Sequence, residues 1–353
     1  MRRMLVVSLG LAAALGGTAA AAEGRIPLLT LPGPPYIITQ PGNYILTRNI
    51  GYAAGTVIAI QSDGVTLDLN GNTVTGPSAV SAITILVTAA SGTDGIVIKN
   101  GRIVAGATAV GTTTVRLRLR IEGLDISGSA GGVSLIAEYA DVIGCRIHDL
   151  VDAGGASTAI FVNALGGRIL DNLIQNLPGN GIIVRGFRAG EIRRNVVRNF
   201  GGFWPSGYGV SLEDSTPIGD SGGSIVADNT VSSLPSGVDD AGIRVLTSNN
   251  LIVGNVAANN GGRGIYVTGN DNRLERNVTN KNGDEGIAFS LTAHGSHLES
   301  NQSQTNQGCG FELGGASLNI YRGNLFTNNV GGNICGVPGI TAGGNYCNLT
   351  PCP

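Results

Sequence analysis

From the middle of the chain onward, a polar residue followed by a short strand-like triplet returns at near-constant spacing. Asn172, Asn195, Asn229, Asn255, Asn277, Asn301 and Asn324 mark it, with followers such as Leu173-Ile174, Val196-Val197 and Leu325-Phe326. The successive spacings are 23, 34, 26, 22, 24 and 23 residues, so one unit is about two dozen residues long, with one long exception. A second marker keeps the same period in another register: Gly181, Gly209, Gly242, Gly264, Gly286 and Gly310. The first and third residues after each glycine are apolar and the second varies. The pairs are Ile182 and Val184, Val210 and Leu212, Ile243 and Val245, Ile265 and Val267, Ile287 and Phe289, Phe311 and Leu313. A third apolar column, Ile169, Ile192, Val226, Ile252, Leu274, Leu298 and Tyr321, precedes the asparagines by three residues.

Alternation with period two is a strand that turns one face inward, and its return every two dozen residues predicts coils that stack strand on strand. Each fully buried member of these columns contributes roughly 1.5–3 kcal/mol relative to exposure. The expected fold is therefore all-β, a right-handed parallel β-helix: a single-stranded solenoid of about eleven coils between Gly64 and Gly332, at one strand spacing per coil. A polar residue at a fixed place in such a coil is costly unless its amide is bonded. Stacked asparagines satisfy one another and the turn backbone, as amide ladders do in cross-β stacks. The seven asparagines are accordingly read as structural. Cys145 takes the same slot, because IGCRIHDL aligns with LDNLIQNL, and is read as a buried thiol.

The ends of the chain and its composition narrow the class. Residues 1–22 read as a secretory signal peptide: a basic start, an apolar stretch from Leu5 to Leu15 and an A-x-A type site before Glu23. That predicts a secreted or periplasmic protein, and no run is long enough for a membrane span. Residues 23–63 are read as an N-terminal segment and cap, 64–332 as the β-helix, and 333–353 as a cysteine-containing tail. Cys309, Cys335, Cys347 and Cys352 allow two bridges in any of three connectivities. Charged residues are 13% of the chain and the net charge is -2, so the basic field needed for nucleic acid is absent. The 57 glycines lie among Asn, Ser and Thr, as turn chemistry between many short strands requires.

Units such as NGDEGIAF and NNLIVGNVAANN resemble the repeats of exported bacterial β-helix proteins related in fold to pectate lyases and to the NosD-type carbohydrate-binding and sugar-hydrolase group. The resemblance covers nearly the whole mature part and implies a polysaccharide partner. Its motifs specify a coil, and function has to be argued from the site.

Two regions carry candidate chemistry. The long unit holds Phe203, Trp204, Tyr208, Glu213, Asp214 and Asp220; an aromatic face beside carboxylates suits a sugar ring, although the aromatics also serve to fold the insertion onto the coil. Stacking the units places Arg185 beside Glu213, Arg244 beside Ser211, and Tyr266 beside Arg244. Lyases that take a proton next to a uronate carboxylate need a cation to neutralise it and a base. Arg244 is the candidate carboxylate clamp, Asp240 the base or metal ligand, and Tyr266 the third catalytic candidate. Trp204, Tyr208, Arg185 and Glu213 are candidates for substrate binding. A solvated ladder of surface ion pairs has the same pattern. Asp239 and Asp240 with Asp214 and Asp220 would suit a hard cation such as Ca²⁺, and no other cofactor is implied. As a pair, Asp239 and Asp240 also fit a glycosidase, but the nearest histidine-rich segment, with His294 and His297, begins 54 residues after Asp240, and the pectate-lyase Trp-x-Asp-His signature is missing. Asp284 and Glu285 read as ordinary turn residues. The expected function is polysaccharide binding on a lateral face, with lyase chemistry on uronic-acid glycans as its catalytic form. The alternative is a non-catalytic structural or surface solenoid.

Overall fold

A computed structural model describes residues 24–77, 82–89, 95–113, 118–152, 157–201, 207–215, 221–233, 241–314, 318–336 and 339–352. The proposed signal peptide lies outside them. The described chain is a right-handed parallel β-helix of about twelve turns. The later coils each contribute three short strands, one to each of three sheets, whereas Ile96–Thr112, Arg118–Ile143 and Thr158–Leu170 run as long strands from one sheet into the next. Leu251–Val253, Val256–Ala258 and Arg263–Val267 form one coil, and Arg273–Glu275, Val278–Asn280 and Ile287–Phe289 form the next. Ile252 stacks on Leu274, Ala257 on Thr279 and Ile265 on Ile287, all in parallel. We number the sheets one, two and three in that order.

The inward columns are those the alternation predicts. In sheet one Ile169, Ile192, Val226, Ile252, Leu274, Leu298 and Tyr321 are buried, and the pairs after the marker glycines fill sheet three from Ile182 to Leu313. Sheet two supplies Ile147, Ile174, Val197, Val231 and Ala257, then turns polar inside at Thr279 and Ser303. Those hydroxyls are satisfied: Thr279 donates to Ser303 at 3.0 Å, and Ser303 donates to the Gly310 carbonyl at 2.8 Å.

At the turn from sheet one to sheet two, the asparagines stack as amides. The Nδ2 of Asn172, Asn195, Asn229, Asn255, Asn277 and Asn301 each donates to the Oδ1 of the next asparagine at 2.9–3.0 Å. Each second amide proton goes to a strand carbonyl, as from Asn195 to Ile169 at 2.8 Å. Each Oδ1 also accepts a backbone N–H, as Asn195 does from Asn172 at 3.1 Å, so both donors and both acceptor positions are used. The residue before each amide lies in the left-handed region, from Asp171 at φ 58° to Gly323 at φ 64°, which turns the chain and aims the side chain inward. Cys145 holds the first place: its backbone N–H donates to Asn172 at 2.9 Å, and burial pushes its thiol up to about 11.

Two further ladders escaped the sequence reading. Asn260, Asn282, Asn306 and Asn329 stack at the turn into sheet three with side-chain bonds of 2.9 Å. Ser224, Asn250, Asn272, Ser296 and Asn319 form a mixed column at the return to sheet one: Asn250 Nδ2 donates to Asn272 Oδ1 at 2.9 Å, and the backbone N–H of Ser224, Asn272 and Ser296 donates to the next side-chain oxygen at 2.9–3.2 Å. The segment read as an N-terminal cap contributes strands of the same solenoid: Gly42–Ile45 pairs in parallel with Val65–Asp68, and Arg25–Pro27 with Gly42–Ile45. At the other end Cys309 is bonded to Cys335, joining adjacent coils, and Cys347 to Cys352 within the last turn.

Removing one rung should strand its neighbours. Each orphaned buried polar group costs about 1–3 kcal/mol, and Asn277→Ala orphans the backbone N–H and one amide proton of Asn255 and takes one of two donors from Asn301. The urea midpoint of Asn277→Ala is expected to fall markedly, while that of Gln302→Ala, an exposed position one coil on, stays within error of the parent.

Candidate functional site

The outward side of sheet three gathers most of the chemistry. Register stacks Phe161, Ile183, Ser211, Arg244, Tyr266 and Ala288 in one outward column. Arg185 stands beside Glu213 in a second. Glu213 is buried and shared by two guanidiniums: Arg185 Nε donates to it at 2.8 Å, and Arg244 Nη2 donates to its other oxygen. Ser211 bonds the same carboxylate at 3.0 Å, and Arg244 Nε donates to the Ser211 hydroxyl at 3.0 Å. Burial opposes the charge on Glu213, yet the arginine and serine contacts outweigh it and hold its carboxyl below the usual range. The Arg244 guanidinium lies 3.6 Å from the centre of the Tyr208 ring, within cation–π reach. A cavity of about 400 Å³ opens beside this cluster, lined by Asn163, Arg185, Glu213, Asp214, Ser215 and Leu246.

One coil further, Arg263 lies 4.8 Å from the Tyr266 ring centre and 3.0 Å from Glu285, with Asp284 at 3.7 Å. Burial of Glu285, with Asp284 and Glu312 adding negative charge beside it, pushes its carboxyl up to about 7 in spite of Arg263. Asp284 and Glu285 lie in the turn before Ile287–Phe289, where burial and the neighbouring acids give Glu285 a raised carboxyl. It titrates near neutrality on the same face as Arg244 and Tyr266. Arg263 was missed as well, although the position before each marker glycine, with Tyr208, Arg263 and Glu285 in three coils, carries the signal.

Of the sequence candidates, Arg185, Tyr208, Glu213, Arg244 and Tyr266 come together on one face. Among the described residues, Arg244 is committed to Glu213 and Ser211 through two of its five N–H donors. Trp204, Phe203, Asp220, Asp239 and Asp240 lie outside the described residues, so the metal and base roles expected of Asp239 and Asp240 have no geometry here. Among the described residues, no group of three or more His, Cys, Asp or Glu is placed to hold a metal ion. His297 stacks on Arg273 in sheet one, away from this face.

The fold is a right-handed parallel β-helix, and this face of it carries two arginines, a buried glutamate and two tyrosines in adjacent coils. Residues 217–349 match the family described as "Right handed beta helix region". The A-module of a mannuronan C-5 epimerase from Azotobacter vinelandii superposes with a TM-score of 0.63 at 14% identity, covering 86% of this chain and 91% of that one. A periplasmic alginate epimerase superposes with a TM-score of 0.56 at 13% identity, covering 90% and 82%. A DFA-IIIase from Arthrobacter chlorophenolicus A6, solved in complex with GF2, gives 0.50 at 11% identity, covering 85% and 94%. At these identities the likeness is one of fold. No curated protein matches the chain in sequence. No helix among the described residues is long and apolar enough to cross a membrane.

Glu285 generates a stability prediction. Its carboxyl is raised in the folded protein, so between about pH 5 and 7 the folded state binds more protons than the unfolded state, and stability falls as pH rises. The destabilisation is absent below the unfolded pKa and complete above about 7. Glu285→Gln removes it: urea midpoints measured at pH 5 and pH 8 should shift in favour of the variant at the higher pH.

Proposed function

We propose that this protein is a secreted or periplasmic β-helix that engages an acidic polysaccharide on the outward face of sheet three. The observation that carries the reading is the pair of arginines closing on a single buried carboxylate. Arg185 and Arg244 bring two positive charges to Glu213; Asp214 at the same cavity balances the remaining one, and the guanidiniums keep donors that no described residue takes. A uronate carboxylate is the planar, bidentate acceptor such donors match. Tyr208 and Tyr266 offer ring faces beside it for the sugar, and Trp204, in the long unit, is proposed to extend that platform. Two of the three similar folds belong to proteins whose names state action on mannuronan and alginate, which supports the choice of substrate class.

The catalytic form of the proposal is proton removal next to the uronate carboxylate. Neutralising that carboxylate stabilises the carbanion that forms at the neighbouring carbon, a task for Arg244 with Arg185. Glu285 favours this form over pure binding, because a carboxyl titrating near 7 accepts and returns protons at working pH. The proton leaves carbon for the ionised base. Elimination of the neighbouring glycosidic oxygen then gives an unsaturated end, the lyase outcome, whereas return of a proton to carbon gives the saturated sugar. Asp240 remains the proposed alternative base, and Asp239 with Asp240 the proposed site for Ca²⁺.

Incubation with polyuronates in D₂O reads all outcomes together. Deuterium entering the sugar next to its carboxylate, or absorbance from unsaturated ends, is expected, with at least a tenfold loss in Arg244→Ala and in Glu285→Gln. Glycan retention without either signal, reduced by Arg185→Ala, would leave a binding protein. The absence of retention and of both signals would favour the structural solenoid.

A further inference from the structure

A second cluster lies on another face, in the N-terminal half of sheet two, around a concavity of about 550 Å³. Register stacks Arg102, Asp125 and Arg146 in one outward column, and Ser127 beside His148 in another. Asp125 therefore has a guanidinium in the coil on either side, Arg102 Nε at 3.8 Å and Arg146 Nη1 at 3.3 Å, and His148 Nε2 at 3.1 Å. The other ring nitrogen of His148 lies 2.7 Å from Asp149. Asp149 is turned toward that bond and toward Asn176, whose Nδ2 donates to it at 2.7 Å. His148 first, then Asn176, hold its carboxyl below the usual range. Three basic side chains thus converge on one carboxylate.

The basic groups are not exhausted by these contacts. Arg102 and Arg146 are about half exposed, at 52% and 50% of their side chains. Beyond Asp125, Arg102 makes one contact among the described residues, to the Ser127 hydroxyl at 3.4 Å. Each guanidinium has five donors in a planar fork, so most remain for a ligand. His148, with only 10% of its side chain exposed, forms a fixed wall.

The floor points the same way. It is formed at the turn position that precedes the amide ladder, by Gly71, Asn100 and Gly123, all at positive φ. The same position holds Asp171, Arg194, Asp228, Arg276 and Ser300 at φ 50–58° in later coils, so the turn accepts side chains. At Gly71 an added Cβ would meet nothing within 4 Å, and at Gly123 only the Asn100 Oδ1 at 3.5 Å. Glycine here leaves open space beside the two arginines.

The geometry points to a second ligand site, in which Arg102 and Arg146 clamp the oxyanion of an acidic saccharide, a carboxylate or a sulfate ester. Strands two ladder steps apart place the two forks roughly 10 Å apart at the backbone, a span their side chains close around one oxyanion, while the glycine floor accommodates the sugar. This site shares no residue with the sheet-three face and does not depend on it.

Isothermal titration separates the two. In Arg185→Gln/Arg244→Gln protein, which disables the sheet-three face, sodium glucuronate or glucose 6-sulfate is expected to bind still. Whichever sugar binds identifies the oxyanion. Adding Arg102→Gln and Arg146→Gln should weaken that binding at least tenfold. A second variant, Gly123→Asp, keeps both arginines and uses a residue that the same turn already carries at position 171. It should weaken binding to a similar extent by placing a carboxylate in the concavity. Far-UV circular dichroism of each variant reports folding. Binding unchanged in both variants, no binding of either sugar, equal binding of glucose, or binding of inorganic sulfate alone would overturn the proposal.

Discussion

From Cys145 onward, what this protein displays on its surface depends on the stacking of side-chain amides at its turns. A parallel coil has no hairpin to set its register, and a slip by one residue would exchange its inner and outer faces. Here each asparagine bonds to the one above, the one below and the adjacent strands, so a slipped coil would leave buried N–H and C=O groups without partners. The constraint is indifferent to what happens between rungs. The unit from Asn195 to Asn229 is 34 residues long, yet their amides still meet at 2.9 Å. Insertions are thereby tolerated at the periphery, and the outward columns stay aligned across them.

That constraint also explains what could be read from the sequence. Once Gly181, Gly209, Gly242 and Gly264 are taken as stacked, the adjacency of Arg185 with Glu213, Ser211 with Arg244, and Arg244 with Tyr266 is arithmetic, and the structure places each pair in register. Contacts that cross between columns were not legible. Arg244 lies over Tyr208, which is three residues before Ser211 in the preceding coil, and such diagonal contacts depend on side-chain direction. The ladder through Asn260, Asn282, Asn306 and Asn329 was present in the spacing, but its rungs lack apolar followers that would set them apart from turn asparagines. The cluster around His148 was hidden for another reason. It sits at and before Cys145, where the amide ladder has not yet begun and the repeat is hardest to align.

Glu285 shows why composition alone misleads about charge. Asp284 and Glu285 read as ordinary turn residues. What raises the Glu285 carboxyl is its burial first, then the adjacent Asp284, and then Glu312 a coil away. Glu213 and Glu285 lie on the same sheet and each meets arginine, yet they move in opposite directions. Glu213 has two arginines and a serine, enough to overcome burial. Glu285 has one arginine against burial and two acids. The same scaffold can thus hold one carboxylate ionised and another close to neutrality, only a few strand spacings apart.

The two glutamates also give the face a direction. Arg185 and Arg244 cluster in coils nearer the N-terminus, Arg263 follows, and Asp284, Glu285 and Glu312 close the row toward the C-terminus. A polyanion laid along the solenoid axis would meet attraction at one end and, above the pKa of Glu285, repulsion at the other. Protonation of Glu285 removes part of that repulsion without disturbing the arginines, because Glu213 stays ionised beneath them. On the proposed function, position along the axis, rather than any single residue, would decide which sugar of a chain sits between the cationic cluster and Glu285. A stacked coil supplies that kind of linear order from its geometry, since each step along the row advances the ligand by one strand spacing, roughly 4.8 Å.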